Sequence, residues 1–185
     1  MPLLELLPDG IGDFSEWVAV PSGSPAGNVL DLQGPDGDAT YIRSTGNIDA
    51  AVLSLFTFQR RPRLAMPIRS VAWVGVKPWA KRQSVGAQFL AGTIKSGAVR
   101  ADFPSVQVTA PVYVALDWPV TGWRAFTDPA TGNGWTVDAA LAAQAGIVDT
   151  TPNTTHEMRV TKLVKQVWVE FASRGHAAVR YDTRL

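Results

Sequence analysis

Between Met158 and Ala172 the chain reads MRVTKLVKQVWVEFA, and at period two its apolar and polar residues separate. Leu163, Val167, Val169 and Phe171 share one face, whereas Lys162, Gln166, Trp168 and Glu170 share the other together with Val164. Alternation over this length, rich in Val and aromatics and free of Gly and Pro, predicts a strand with one buried face. It comes late in the chain, so earlier strands must supply its neighbours, and it is expected as a central strand closing a β-sandwich. In Ala51 to Phe58, AVLSLFTF, both alternating sets are mostly apolar, which predicts a strand buried on both faces. Ile68 to Val76 and Val112 to Trp118 are further strong strand patterns, the latter stopped by Pro119. Ala87 to Thr93 and Ser105 to Thr109 are shorter ones.

At the N-terminal end, Leu3 to Leu7 predicts a first strand ended by a Pro8-Asp9-Gly10 turn, and Phe14 to Val20 alternates as the next. Pro21 to Asn28 is loop by composition, and Thr40 to Arg43 opens another extended stretch. Thirteen prolines and sixteen glycines are spread evenly, punctuating short apolar runs as an all-β fold requires rather than marking a linker. One helix is predicted near residues 136–145. Thr136 is its N-cap, Asp138 favours its first turn, and Gly146 suits the C′ position. Val137, Leu141 and Ala145 would share its apolar face. The expected fold class is all-β, an antiparallel β-sandwich with this short helix plugging one end. Residues 1–172 form a single domain in this reading, and 173–185 a C-terminal tail or arm.

The composition supports a full core: 46% of the 185 residues are hydrophobic and 18% charged. Seventeen bases against sixteen acids leave no long-range pull toward nucleic acid or an anionic membrane. Arg60, Arg61 and Arg63 make the one dense basic patch, read as a solvated turn. The lack of cysteine excludes disulfides, thiolate metal sites and a cysteine nucleophile. The first ten residues, MPLLELLPDG, lack a basic leader, and nothing later approaches a membrane span. Assembly in a cytoplasm without export is the expectation.

Candidate chemistry is sparse. His156 and His176 lie in polar loops with no second histidine at ligand spacing, and no G-x-S-x-G motif accompanies them. Asp31, Asp36 and Asp38 surround a Gly34-Pro35 turn; closely spaced oxygens could hold Ca²⁺, but the EF-hand pattern is absent and an ordinary tight turn is the preferred reading. Glu16, Asp117, Glu157 and Glu170 are the acids to weigh for sugar hydrolysis, which needs two of them facing each other across a cleft. Seven tryptophans are the remaining oddity. Trp73 and Trp168 fall opposite the most apolar sets of their strands, so a second, covered face is expected there. Trp79, Trp118, Trp123 and Trp135 are read as core or interface residues first, with stacking on a ligand as the alternative.

Asp128-Pro129-Ala130-Thr131-Gly132, then Trp135-Thr136 and the helix, then Arg159-Val160-Thr161 through Val167-Trp168-Val169-Glu170, form an ordered series. With the acidic turn before Thr40-Tyr41-Ile42 and with Trp17, this series resembles a diffuse group of tailed-bacteriophage structural proteins. The resemblance spans roughly Trp17 to Phe171; Gly37 inside the acidic turn departs from it, and the tail has no counterpart. It implies a jelly-roll-like sandwich built into the virion, on the tail or as a capsid decoration, with no enzymatic activity and no cofactor. Its partners would be further copies of itself and other virion proteins, with neither nucleic acid nor membrane involved. By composition the tail, with Arg174, Arg180, Tyr181 and Arg184, reads either as an assembly arm that orders on a neighbour or as a frayed terminus. The alternative reading is a carbohydrate-binding sandwich that attaches to host-surface glycans through exposed tryptophans.

Overall fold

A computed structural model describes residues 2–20, 39–44, 52–58, 67–83, 86–151 and 157–172. Two antiparallel sheets pack face to face. The first holds β1 (Leu3–Leu6), β3 (Val18–Val20), β4 (Tyr41–Arg43), β6 (Ile68–Arg82), β10 (Val114–Ala115), β11 (Arg124–Ala125) and β13 (Met158–Phe171). The second holds β2 (Pro8–Ser15), β5 (Val52–Phe58), β7 (Gln88–Ser96), β8 (Val99–Asp102), β9 (Val106–Val108) and β12 (Gln144–Asp149). The spatial order is β10-β6-β13-β4-β3 in one layer, with β1 also beside β13 and β11 also beside β6. In the other it is β2-β5-β12-β7-β8, with β9 also beside β7.

The two longest strands, β6 and β13, run antiparallel along most of their length, so the late strand is central as its alternation predicts. Between the layers lie Phe56, Phe58, Val74, Val76, Leu90, Ile94, Ile147, Leu163 and Val167, all essentially inaccessible. Each such side chain contributes roughly 1.5–3 kcal/mol by leaving water. β5 sits between β2 and β12 and is buried on both faces: Phe56 and Phe58 face the main core, while Leu53 and Leu55 join Ala91 and Val148 in a smaller cluster.

Several boundaries differ from the sequence reading. Pro8-Asp9-Gly10 is the start of β2 rather than a turn, since the chain changes sheets at Leu7. The register of β2 on β5 shifts between Pro8 and Gly10 and again between Ile11 and Ser15, and a Cβ on Gly12 would lie 2.9 Å from the Leu55 backbone. Phe14 to Val20 is not one strand either. The chain leaves the second sheet after Ser15 and enters the first at Val18, with Trp17 buried at the crossing. At that bend the N–H groups of Glu16 and Trp17 both donate to the buried Ser54 Oγ at 3.1 Å, and Glu16 N is shared with the Leu53 carbonyl at 3.1 Å.

β6 continues past Val76 through Pro78, whose carbonyl accepts from Leu116 N at 2.9 Å. Val112 to Trp118 supplies only the two-residue β10, because Val114 and Ala115 alone pair with β6, and prolines flank the segment. Trp118 instead opens a second short helix, α1 (Trp118–Thr121), so the expectation of a single helix is corrected.

The predicted helix is α2 (Val137–Ala142). Thr136 is its N-cap, its Oγ1 accepting from Ala139 N at 3.1 Å, with Asp138 in the first turn. The C-terminal end is shorter than predicted. Ala143 is the C-cap, Ala145 belongs to β12, and Gly146 lies within that strand. The glycine is required there by close approach: a Cβ would run into the Ser54 carbonyl on β5. The helix ends where Ala143 turns extended into β12, and its free carbonyls are met by Lys165, which projects from β13 into the core in phase with Leu163 and Val167. Its Nζ donates to the carbonyls of Ala140, Leu141 and Ala143 at 3.1, 2.9 and 2.8 Å and lies 5.2 Å from the Phe58 ring centroid. Three carbonyls match the three hydrogens of an ammonium group at the negative end of a helix.

The Asp128-Pro129-Ala130-Thr131-Gly132 motif is a self-contained turn. The buried Asp128 accepts from Ala130 N through Oδ1 and from Thr131 N and Gly132 N through its carbonyl, while its own N–H donates to Asn133 O. Gly132 has φ +72°, which L side chains rarely adopt. This motif shapes the approach to α2; its polar groups are satisfied by one another.

Candidate interaction surface

On β6 the residues out of phase with the core are Trp73, Gly75, Lys77, Trp79 and Lys81, and their opposites on β13 include Trp168, Gln166, Val164 and Lys162. Together they give the first sheet an outer face of alternating cations and aromatics. Trp73 and Trp168 are register partners with ring centroids 5.6 Å apart and planes 27° from parallel. The Trp79 ring has Lys77 Nζ at 4.7 Å and Lys162 Nζ at 4.9 Å from its centroid. Lys81 Nζ lies 4.8 Å from the Tyr113 ring, and the Arg159 guanidinium 4.5 Å from that of Tyr41. Trp73, Val164 and Gln166 are buried whereas Lys77, Trp79, Lys162 and Trp168 are half-buried, so this second face is covered in part.

The acids on and around this face are paired with cations within the fold. Lys77 bonds Asp117 at 3.0 Å and Glu5 at 3.3 Å, and Glu5 also accepts from Gln166 Nε2. Burial works to lower the Lys77 pKa, but the hydrogen bond it donates to Asp117 and the charge of Glu5 raise it above the ordinary lysine value. Glu157 is held by Arg159 at 2.5 Å and Arg43 at 2.8 Å. Its burial would push the carboxyl up, yet the hydrogen bonds from the two arginines hold it below the usual glutamate range. Across the second sheet, Asp13 meets both Lys95 and Gln144, and the hydrogen bond from Lys95 depresses its pKa.

The acids weighed for sugar hydrolysis are therefore each engaged separately. Glu16 accepts from Leu53 N at 2.6 Å, Asp117 faces Lys77, Glu157 faces its arginines, and Glu170 meets Ser70 Oγ at 3.0 Å and Arg69 at 3.7 Å. Among the described residues, no three His, Cys, Asp or Glu side chains gather as a metal site would need.

Two of the four tryptophans proposed for an interface or ligand are core residues. Trp123 is inaccessible, with Nε1 donating to Pro104 O at 2.8 Å, and Trp135 is buried with Nε1 donating to Ala125 O at 2.8 Å. Burial with a satisfied N–H leaves neither ring a face for a partner. Trp79 is half-buried and engaged by its two lysines, and the Trp118 side chain lies outside the described residues. Also outside them are Asp31, Asp36 and Asp38, the Arg60, Arg61 and Arg63 patch, His156 and His176, and the arm residues Arg174, Arg180, Tyr181 and Arg184.

Sequence reasoning missed Lys77, Lys81 and Lys162 as partners of the aromatics because it ended β6 at Val76. Their shared phase with Trp73 and Trp79 was the available signal. It also missed the exposed apolar side chains. Ile11, Phe14 and Val18 stand on β2 and β3, Val99 on β8, and Val112, Val120 and Phe126 on the segment that carries β10, α1 and β11. No protein-family model and no curated protein sequence matches this chain.

Proposed function

We propose that this chain is a non-catalytic structural protein of a tailed-bacteriophage particle, a tail or capsid-decoration component that works through protein–protein contacts. The observation that carries the reading is where reactive and apolar groups end up. The carboxylates weighed above are tied to cations or backbone N–H groups within the fold, while large apolar side chains remain on the surface, up to 82% exposed at Val120. Isolated apolar side chains on a surface are ordinary, but several at the sheet edges suit contact with other proteins. The resemblance of the motif order to that of phage structural proteins supplies the particle context. Those motifs support the fold: Asp128 to Gly132 form a turn, Thr136 caps α2, and Arg159 to Glu170 lie on the central strand.

The partners in this reading are further copies of the chain and other virion proteins, and the site of action is the virion, assembled in the host cytoplasm. Add-back tests it: purified chain is mixed with particles that lack it, and bound protein is measured after sedimentation. Saturable incorporation at a fixed number of copies per particle is expected, and no co-sedimentation at any concentration would overturn the reading.

A further inference from the structure

We infer that copies of this sandwich join side to side, the β2–β3 side of one copy meeting the β6 edge of the next. This rests on the reading above, that the chain acts through its surfaces, and it names the surfaces and their occupant.

Because only Glu16 and Trp17 separate β2 from β3, the outer strand of the second sheet and the outer strand of the first lie along one side of the sandwich. Ile11, Phe14 and Val18 are exposed there. At the opposite side, among the described residues, the short β10 and β11 with α1 between them cover β6, and Trp123 Nε1 bonded to Pro104 O ties that edge to the segment between β8 and β9 of the second sheet. Val112, Val120 and Phe126 are exposed along this cover.

The two sides also differ in charge. Counted with the partners that bond them within the fold, Asp9, Asp13 and Glu16 of residues 8–20 stand against Lys95, whereas the five bases of residues 77–82 and 97–126 stand against Asp102, Asp117 and Glu5, so the first side stays net acidic and the second net basic. Opposite charge on two apolar sides of one molecule fits a second copy of the same chain, set head to tail. Such a contact is heterologous: it closes a ring if the rotation divides a full turn and otherwise runs on as a filament. Side chains make the contact rather than an added strand, because Pro8 and the two register shifts of β2 break the regular ladder that strand addition needs.

The experiment uses the full chain with Phe14→Arg on one side and Val120→Asp on the other, with Ile11→Arg as a second variant of the first side. Circular dichroism and melting establish that each is folded. Sedimentation equilibrium is expected to show the wild type assembled, each single variant monomeric, and an equimolar mixture of Phe14→Arg with Val120→Asp stopping at dimers, since one intact contact remains between them. If the wild type assembles and the folded variants assemble equally well, the side-to-side contact is wrong while self-association stands. If only the first-side variants become monomeric, the contact is two-fold and this inference is overturned. If the variants self-assemble but no longer join particles, these sides belong to another virion protein and a second copy is the wrong occupant. A wild type that stays monomeric overturns self-association itself; incorporation of that monomer into particles then decides the virion reading separately.

Discussion

Lys165 Nζ lies 2.8 Å from the carbonyl oxygen of Ala143, where α2 gives way to β12. A side chain from the central strand thus closes the end of the helix, locking the plug of the sandwich to its longest strand pair. Replacing Lys165 with Met keeps the volume and removes the donors for three carbonyls. At about 1–3 kcal/mol for each buried acceptor left without a partner, a loss of roughly 3 kcal/mol or more is expected. Urea unfolding monitored by tryptophan fluorescence reads this as a lower midpoint. An unchanged midpoint would show that the helix end does not depend on the lysine.

Gly146 and Gly134 make a matched pair for the sheet contact. A Cβ at 146 would strike the Ser54 carbonyl, whereas one at 134 has nothing within 4 Å. Overpacking against side chains costs about 1–3 kcal/mol, and backbone yields less readily. Gly146→Ala should therefore lower the melting temperature sharply or prevent soluble expression, with Gly134→Ala close to wild type. Equal melting of the two would contradict the pairing of β12 with β5.

The N-cap gives a smaller, cleaner effect. Thr136→Ala should cost about 1 kcal/mol, and Thr136→Ser should recover most of it. Equal stability of the alanine and serine variants would mean that Ala139 N finds another acceptor.

Glu157 sets an acid limit. Its carboxyl is held below the usual glutamate range by Arg159 and Arg43, so the unfolded chain, with an ordinary glutamate, takes up the proton first. The stabilisation is complete above the ordinary glutamate value, near pH 4.5, and is lost as pH falls below it toward the folded value. The slope of stability against pH below about 5 should flatten in Glu157→Gln, measured by denaturant titration at stepped pH. A variant with the wild-type slope would remove Glu157 from the account.

The tryptophans should sort by burial rather than by chemistry. Trp123→Ala removes an inaccessible ring and should cost about 3–5 kcal/mol, as large core truncations do. Trp79→Ala removes two cation–aromatic contacts, each worth about 0.5–1 kcal/mol at a partly open site, and should leave a folded protein. The reverse ranking in thermal melts would contradict the placement of both rings.

The sequence made strands legible where apolar residues alternate over several positions or fill both faces. Leu163 to Phe171 alternates although the register of β13 on β6 shifts between Val160 and Lys162 and twice near its end. Val52 to Phe58 is apolar on both faces, and both strands occupy central positions. It misled where the chain changes sheet in mid-pattern, as at Glu16 and Trp17, because alternation continues across a crossing that local residues do not announce. Gly146 looked like a helix end because glycine serves both a C′ position and a close strand contact, and only the neighbouring Ser54 decides between them. Lys165 could have been found as a cation in phase with Leu163 and Val167, a position that demands buried acceptors. For the candidate surface, the partly covered second face was readable from Trp73 and Trp168. The burial of Trp123 and Trp135 was not, since it depends on carbonyls 19 and 10 residues away.

The central claim, that this fold acts by building outer surfaces into a particle, is tested most directly by imaging. Electron microscopy of particles whose copy of the chain carries a gold label after Leu185 should show the label at regularly repeated positions on the head or the tail. Purified particles bearing no label, with the labelled chain left in the soluble fraction, would contradict it.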